Sequence, residues 1–284
     1  MISKASLRRF LPPILLEIYR FLKRALRLSD NLLTYAPQGW KTRIPEATGR
    51  EVASGAGVAL ERIGWDPLIR RLQDSPVPLV TDDGGAPDIL RVFYDHNAFM
   101  TFGYVLALAA RHEKALRVLD YGGSLGYFHS VGSAMVPDIE LDYHCKELPE
   151  VARVGKIVSP EVTWHTDDSC LDLSYDLVIF SGSLQYIEGW RDVLSRAAQA
   201  TSKYLYLTRV SVVEHGAGYV AMQRYAGGTM LHEQFNKREL LETLERTGLQ
   251  LVREFWVGNH PRIENAPCEP AYYGCLLRRN TPRA

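Results

Sequence analysis

The stretch of this chain best suited to chemistry runs Leu116-Arg117-Val118-Leu119-Asp120-Tyr121-Gly122-Gly123-Ser124-Leu125-Gly126-Tyr127-Phe128, an apolar run ending in an acid and opening into a glycine-rich turn. Read as strand, turn and helix, its small residues let a ligand approach the backbone. The first N–H groups of the helix then offer donors to a carboxylate or phosphate. Open α/β sheets bind ligands at the carboxyl ends of their strands, so a nucleotide-like ligand is expected at this crossover. The dinucleotide fingerprint asks for G-x-G-x-x-G. Gly122, Gly123 and Gly126 give G-G-x-x-G instead, with Asp120 ahead of the glycines.

That order resembles the first motif of class I S-adenosylmethionine-dependent methyltransferases, acid-x-Gly-x-Gly-x-Gly, with Asp120, Gly122 and Gly126 in register and Ser124 in place of the middle glycine. The Gly-Gly-Ser-Leu-Gly variant, Lys146-Glu147-Leu148-Pro149, Ser183-Leu184-Gln185-Tyr186-Ile187 and Thr208-Arg209 together resemble a bacterial subfamily of methyltransferases often associated with surface-polysaccharide biosynthesis. The resemblance covers about residues 90 to 280. It implies a Rossmann-like α/β fold: a seven-stranded, mostly parallel sheet with helices on both faces and an antiparallel last strand. It also implies S-adenosyl-L-methionine as cofactor, in a turn built by Asp120, Gly122, Gly123, Ser124 and Gly126.

Further roles follow from the resemblance residue by residue. An acid after the second strand holds the ribose hydroxyls, which Glu147 matches by its place before a helix; Asp142 is its rival. A bidentate carboxylate–diol contact explains why an acid is wanted there. Asp167 or Asp168 is expected against the adenine amino group, and Ser183, Gln185 and Tyr186 against the methyl-transfer position. Each has a plainer reading: Glu147 as a helix-start charge, the aspartates as turn residues, Tyr186 as packing with a polar tip.

Methyl transfer asks mainly for an acceptor lone pair held in line with the sulfonium carbon at ~3 Å. A hydroxyl acceptor gains from a general base, whereas an amine need only arrive unprotonated. Tyr186, Arg209, His215 and His232 form the expected catalytic set. Arg209 suits an anionic acceptor such as a uronic acid or a nucleotide-sugar phosphate, and His215 or His232 could be the base, against the commoner surface or structural histidine. No metal is predicted to be required, since Asp167 and Asp168 alone do not make a carboxylate cluster.

The elements that must position these residues are legible as alternating strands and helices. Strands are expected near 116–121, 139–145, 162–165, 176–180, 204–208, 249–256 and 271–277, and helices near 126–135, 148–156, 189–200 and 236–247. A long helix over 95–114 precedes them, with Phe99, Phe102, Leu106 and Ala109 on one face. Asn236 three residues before Glu239 resembles a capping box, and Gly248 supplies the stop. Residues 210–235 are too long for an idle connection and read as a substrate-covering lid.

The whole chain has 284 residues, 46% hydrophobic and 23% charged, which excludes disordered and disulfide-framework classes. Thirty-three basic and thirty-three acidic residues cancel, so no chain-wide field attracts nucleic acid, and none is expected as partner. Residues 1–27 depart from that balance, with seven basic residues against Glu17 and an apolar stripe Ile14, Leu15, Ile18, Leu22, Ala25, Leu26. Such a basic amphipathic helix can lie on an anionic membrane surface or pack on the protein's own body. Four cysteines without C-x-x-C pairing and the lack of a long apolar run give the expectation of a cytoplasmic protein, with membrane-peripheral contact through residues 1–27 as an option. The division expected is a helical appendage over 1–90 and a donor-binding domain over 91–284. The acceptor expected is a small molecule or glycan. Two rivals are a nicotinamide-dependent sugar oxidoreductase, for which no Tyr-x-x-x-Lys or comparable hydride-transfer set is found beside the cleft, and a catalytically silent donor-binding subunit of a membrane-peripheral assembly.

Overall fold

The computed structural model describes residues 33–44, 49, 58, 65, 69–70, 72, 89–225, 228–258 and 261–280. The basic helix expected within 1–27, and most of the expected appendage, lie outside them. In chain order the strands are β1 (Leu33–Tyr35), β2 (Ala115–Tyr121), β3 (Glu140–Lys146), β4 (Thr163–His165), β5 (Tyr175–Ser181), β6 (Thr201–Val213), β7 (Tyr219–Tyr225), β8 (Gly228–Asn236), β9 (Leu249–Trp256), β10 (Ile263–Glu264) and β11 (Ala271–Arg279). The helices are α1 (Ile89–Ala109), α2 (Tyr127–Met135), α3 (Pro149–Val158), α4 (Trp190–Ala200) and α5 (Lys237–Arg246).

The seven expected strands form the core in the order β4-β3-β2-β5-β6-β11-β9. From β4 to β6 every pairing is parallel. β11 runs antiparallel to both neighbours, as expected for the last strand. β2 and β5 are almost continuously buried, the mark of central strands covered on both faces. One core lies against α4 and α5, around Phe180, Trp190, Leu194, Phe235, Leu240 and Leu244. The other lies against α1, α2 and α3, around Phe102, Leu106, Leu125, Val131, Tyr143 and Val151.

Two expectations are corrected. The sheet has eleven strands rather than seven, because β6 runs on past the core and pairs with β8 through Val212 and Val213. β8 then pairs antiparallel with β7, β7 with β1, and β1 parallel with β10. Of residues 210–235, expected as a lid, those up to 213 end β6, and 219–225 and 228–235 are paired strands of the sheet rather than an irregular loop. The first long helix also starts and stops earlier than 95–114, since the chain turns at Ala110–Glu113 with His112 at φ 69°. Its expected face is buried, with Phe99, Phe102, Leu106 and Ala109 at most 2% exposed. At α5, Asn236 accepts the Glu239 N–H at 2.9 Å, but the Glu239 carboxylate goes to Arg191 instead of back to the cap. Among the described residues no helix is long and apolar enough to cross a membrane.

Candidate functional site

β2 delivers the chain to the glycine turn in the middle of the sheet, where β3 lies on one side and β5 on the other. Such a position, flanked by strands reached in opposite directions, opens a crevice at the carboxyl edge. The turn is tight: Gly122, Ser124 and Gly126 all take positive φ, at 82°, 54° and 85°. Ser124 thus occupies the left-handed region without being glycine, a strained choice more usual at functional sites. Its N–H donates to Glu147 Oε1 at 2.9 Å, and the Leu148 N–H donates to Glu147 Oε2 at 2.9 Å. The carboxylate at the end of β3 is thereby fixed beside the turn.

Gly123 owes its identity to close approach. A β-carbon there would stand 2.5 Å from Asp120 Oδ2 and 2.7 Å from Cys145 Sγ. Asp120 lies beneath the turn, 1% exposed, with Oδ2 accepting from the Tyr143 hydroxyl at 3.0 Å. Its other oxygen is buried without a hydrogen-bond partner among the described residues. Burial pushes its pKa up to about 7, with the Tyr143 hydrogen bond and Arg209 pulling down and Glu147 adding to the rise. Asp120 supports the turn from below rather than standing in the crevice.

The two aspartates after β4 separate. Asp167 is exposed and caps the short 3-10 turn Asp168–Asp172, accepting the Ser169 N–H at 2.9 Å; the Ser169 side chain first, and then this N–H, lower its pKa. Asp168 faces the end of β2: its Oδ1 accepts from the Tyr121 hydroxyl at 2.7 Å and lies 3.4 Å from Lys146 Nζ. Lys146 in turn sits 4.4 Å above the Tyr121 ring. Of the pair, Asp168 is the one joined to the turn's own strand.

On the other side, β5 ends at Ser181 and the chain passes through Gly182 and Ser183 into the short turn Leu184–Tyr186. Ser183 Oγ donates to the Tyr121 carbonyl, and its Cβ would meet a β-carbon at Gly122, so the two loops touch. Gln185 is 3% exposed and donates to the Arg209 carbonyl at 3.1 Å. Tyr186 donates to Gln223 Oε1 at 2.6 Å and packs its ring edge-on to His232, centroids 4.9 Å apart. Burial raises the Tyr186 pKa above the ordinary phenol range.

The two histidines part company. His232 on β8 is 1% exposed, hydrogen-bonded to the Gln234 amide, and lowered by burial to about 4. Its ring is neutral near pH 7 and touches Tyr186, which orients a phenol but makes it a poor proton acceptor. His215 lies exposed on the turn between β6 and β7. The structure thus brings Asp120, the turn, Glu147, Asp168, Ser183, Gln185, Tyr186 and Arg209 to one edge, with His232 behind Tyr186.

Sequence reasoning gives no role to Tyr121 or Tyr143, and places Gln223 only within the stretch that follows Arg209. Tyr121 and Lys146 are register partners in neighbouring strands, each next to a site loop, and that placement was available once the strands were paired. Gln223 carries no local signal, because β7 reaches Tyr186 only through the added half of the sheet.

No protein-family model matches the sequence, and a search of curated proteins finds no match. Solved structures similar in chain path include magnesium protoporphyrin IX methyltransferase from Synechocystis with bound SAM, at 13% identity over 78% of this chain and 97% of that one, TM-score 0.45. Another is 1,6-didemethyltoxoflavin-N1-methyltransferase from Burkholderia thailandensis, at 17% identity over 84% and 94%, TM-score 0.42. Human N-acetylserotonin methyltransferase is similar at 14% identity over 78% and 59%, TM-score 0.45. At such identities and TM-scores these likenesses carry no functional argument, and function has to be argued from the site.

Proposed function

We propose that the chain is an S-adenosylmethionine-dependent methyltransferase acting on a small-molecule or glycan acceptor, a sugar hydroxyl or amine. The observation that carries this reading is the Glu147 carboxylate held by the N–H groups of Ser124 and Leu148, at the rim of the Gly122–Gly126 turn. A diol-binding acid and a small-residue turn opening a helix thus share one crevice. S-adenosylmethionine bound there supplies a methyl carbon made electrophilic by its sulfonium.

A carboxylate offers about four acceptor sites, and in this reading Glu147 accepts from the ribose hydroxyls as well as from the two N–H groups that hold it. The first-turn N–H groups of α2, together with the turn's own backbone, receive the carboxylate of an amino-acid tail. Asp168, with Oδ1 taken by Tyr121, offers Oδ2 to an adenine amino group. Ser183, Gln185, Tyr186 and Arg209 form the wall on the acceptor side, where they orient the nucleophile and exclude water. We place the enzyme in the cytosol, touching an anionic membrane surface through residues 1–27, and the bacterial polysaccharide association favours a glycan acceptor.

The test is calorimetric. The full chain is expected to bind S-adenosylhomocysteine saturably, and Glu147→Gln to weaken it roughly ten- to a hundredfold, the loss of charge-assisted hydrogen bonds worth about 1.5–3 kcal/mol. No heat with that ligand, alongside saturation by a pyridine dinucleotide, would overturn the reading. Radiolabelled donor incubated with extracts of a polysaccharide pathway addresses the acceptor: label appearing only in protein or nucleic acid discards the glycan.

A further inference from the structure

Arg209 is placed at a cost that ordinary strand packing does not require. It takes φ 55° within β6, the left-handed region that non-glycine residues seldom enter. The strain sits at a bulge: Leu207 pairs with Cys275 and Val210 with Tyr273, so Thr208 and Arg209 together face Gly274. A bulge of this kind re-aims one side chain, and here it turns Arg209 out over the carboxyl edge, where it is exposed.

The side chain is then fixed. Nε and Nη2 donate to Ser181 Oγ at 3.2 and 2.8 Å, and Nη2 also reaches the Ser181 carbonyl at 3.4 Å. Gly182 lies in ordinary contact range of this side chain, a β-carbon there standing 3.6 Å from Arg209 Cβ and 3.7 Å from Nε, and its φ of 69° is what favours glycine at the position. Gln185 grips the Arg209 carbonyl through Nε2, while its Oε1 is buried with no hydrogen-bond partner among the described residues. Among those residues Arg209 forms no ion pair, unlike Arg117, Arg191 and Arg196. Its charge is felt by groups on three different elements: burial raises the pKa values of Asp120, Tyr206 and Tyr272, and Arg209 opposes the rise in each. A guanidinium that is strained, immobilised and without an ion-pair partner among the described residues is prepared for an anion, and Nη1, which takes no part in the bonds to Ser181, is the nitrogen placed to donate to a carboxylate or phosphate oxygen.

We infer that Arg209 anchors a carboxylate or phosphate carried by the methyl acceptor, which makes the acceptor an acidic sugar: a uronic acid or a sugar phosphate. This rests on the methyltransferase reading, in which the donor lies on the β2–β3 side, held by the glycine turn and Glu147, and leaves the β5–β6 side to the acceptor.

The experiment titrates the full chain, saturated with S-adenosylhomocysteine, with glucuronate, glucose 1-phosphate and glucose at low ionic strength. Saturable binding of one or both anions is expected, with glucose at least about tenfold weaker, and the tighter anion names the source of the charge. Arg209→Gln is expected to weaken anion binding roughly tenfold or more, and Arg209→Lys to fall between, keeping charge but losing the fork. Both should leave affinity for S-adenosylhomocysteine within about twofold. Arg209→Gly is the folding control, because glycine accepts this φ without strain; it should stay folded by circular dichroism and lose the anion. Equal binding of glucose and the anions, no saturation by either anion, or anion binding retained in Arg209→Gln overturns the inference. A tenfold loss of S-adenosylhomocysteine in Arg209→Gln also overturns it, by assigning the arginine to the donor. Failure of the wild type to bind S-adenosylhomocysteine is a different result, and sinks the methyltransferase reading itself.

Discussion

Position 123 shows how one hydrogen atom in place of a methyl group governs the crevice. The turn lies so close over Asp120 and Cys145 that a β-carbon meets an oxygen at 2.5 Å and a sulfur at 2.7 Å, neither of them the free end of a flexible chain. Gly123→Ala is therefore expected to cost about 1–3 kcal/mol, read by urea denaturation, and to weaken S-adenosylhomocysteine in the same protein. Unchanged stability and affinity would show that the turn gives way freely.

Asp120 itself has a pH signature. Its folded pKa of about 7 lies above the unfolded value near 3.9, so between these the native state keeps a proton that the unfolded chain has lost. Stability from this group therefore falls as pH rises through that window and levels off above it. Asp120→Asn removes the fall. The variant's stability relative to wild type should rise between about pH 5 and pH 8 by an amount on the order of 2 kcal/mol, and a pH-independent difference would refute the assignment.

Among the elements, the half of the sheet that sequence reading took for a lid is tied down by one carboxylate. Glu233 on β8 accepts from the indoles of Trp40 at 2.9 Å and Trp190 at 3.0 Å, joining the segment after β1 to the start of α4. Burial raises its pKa, and the two indole donors pull it back. Glu233→Ala strands both donors, at about 1–3 kcal/mol. β1 has only three residues to pair, so the loosening should be local: hydrogen exchange speeds up in residues 33–41 while β2 and β5 stay protected. Uniform acceleration across the sheet would instead make Glu233 part of the global core. The hairpin had one sequence cue, Ala226-Gly227-Gly228 between two β-prone runs, but its position after a site strand made a covering loop the more natural reading.

For the molecule as a whole, charge is divided along the chain, with a net +6 in residues 1–27 offset elsewhere. Basic residues at an anionic surface are worth about 1 kcal/mol each. The full chain is expected to co-sediment with phosphatidylglycerol vesicles at low salt and to be released at high salt, and deletion of residues 1–27 to abolish this. Co-sedimentation unaffected by the deletion would take the contact away from residues 1–27, and no co-sedimentation of the full chain at low salt would remove membrane contact from the proposal.

What the sequence by itself determined is local. The glycine turn after Asp120, the seven core strands within a few residues of their ends, and the Asn236 cap each depend on residues near one another in the chain, whose steric and hydrogen-bonding preferences act without knowledge of the fold. The contacts that give those residues roles were decided only by tertiary structure. Glu147 reaches Ser124 across 23 positions, Tyr121 reaches Asp168 across 47, and Trp40 reaches Glu233 across 193. Strand order and register bring such pairs together, and these are set by how the two cores pack on the sheet, a property that no window of sequence contains.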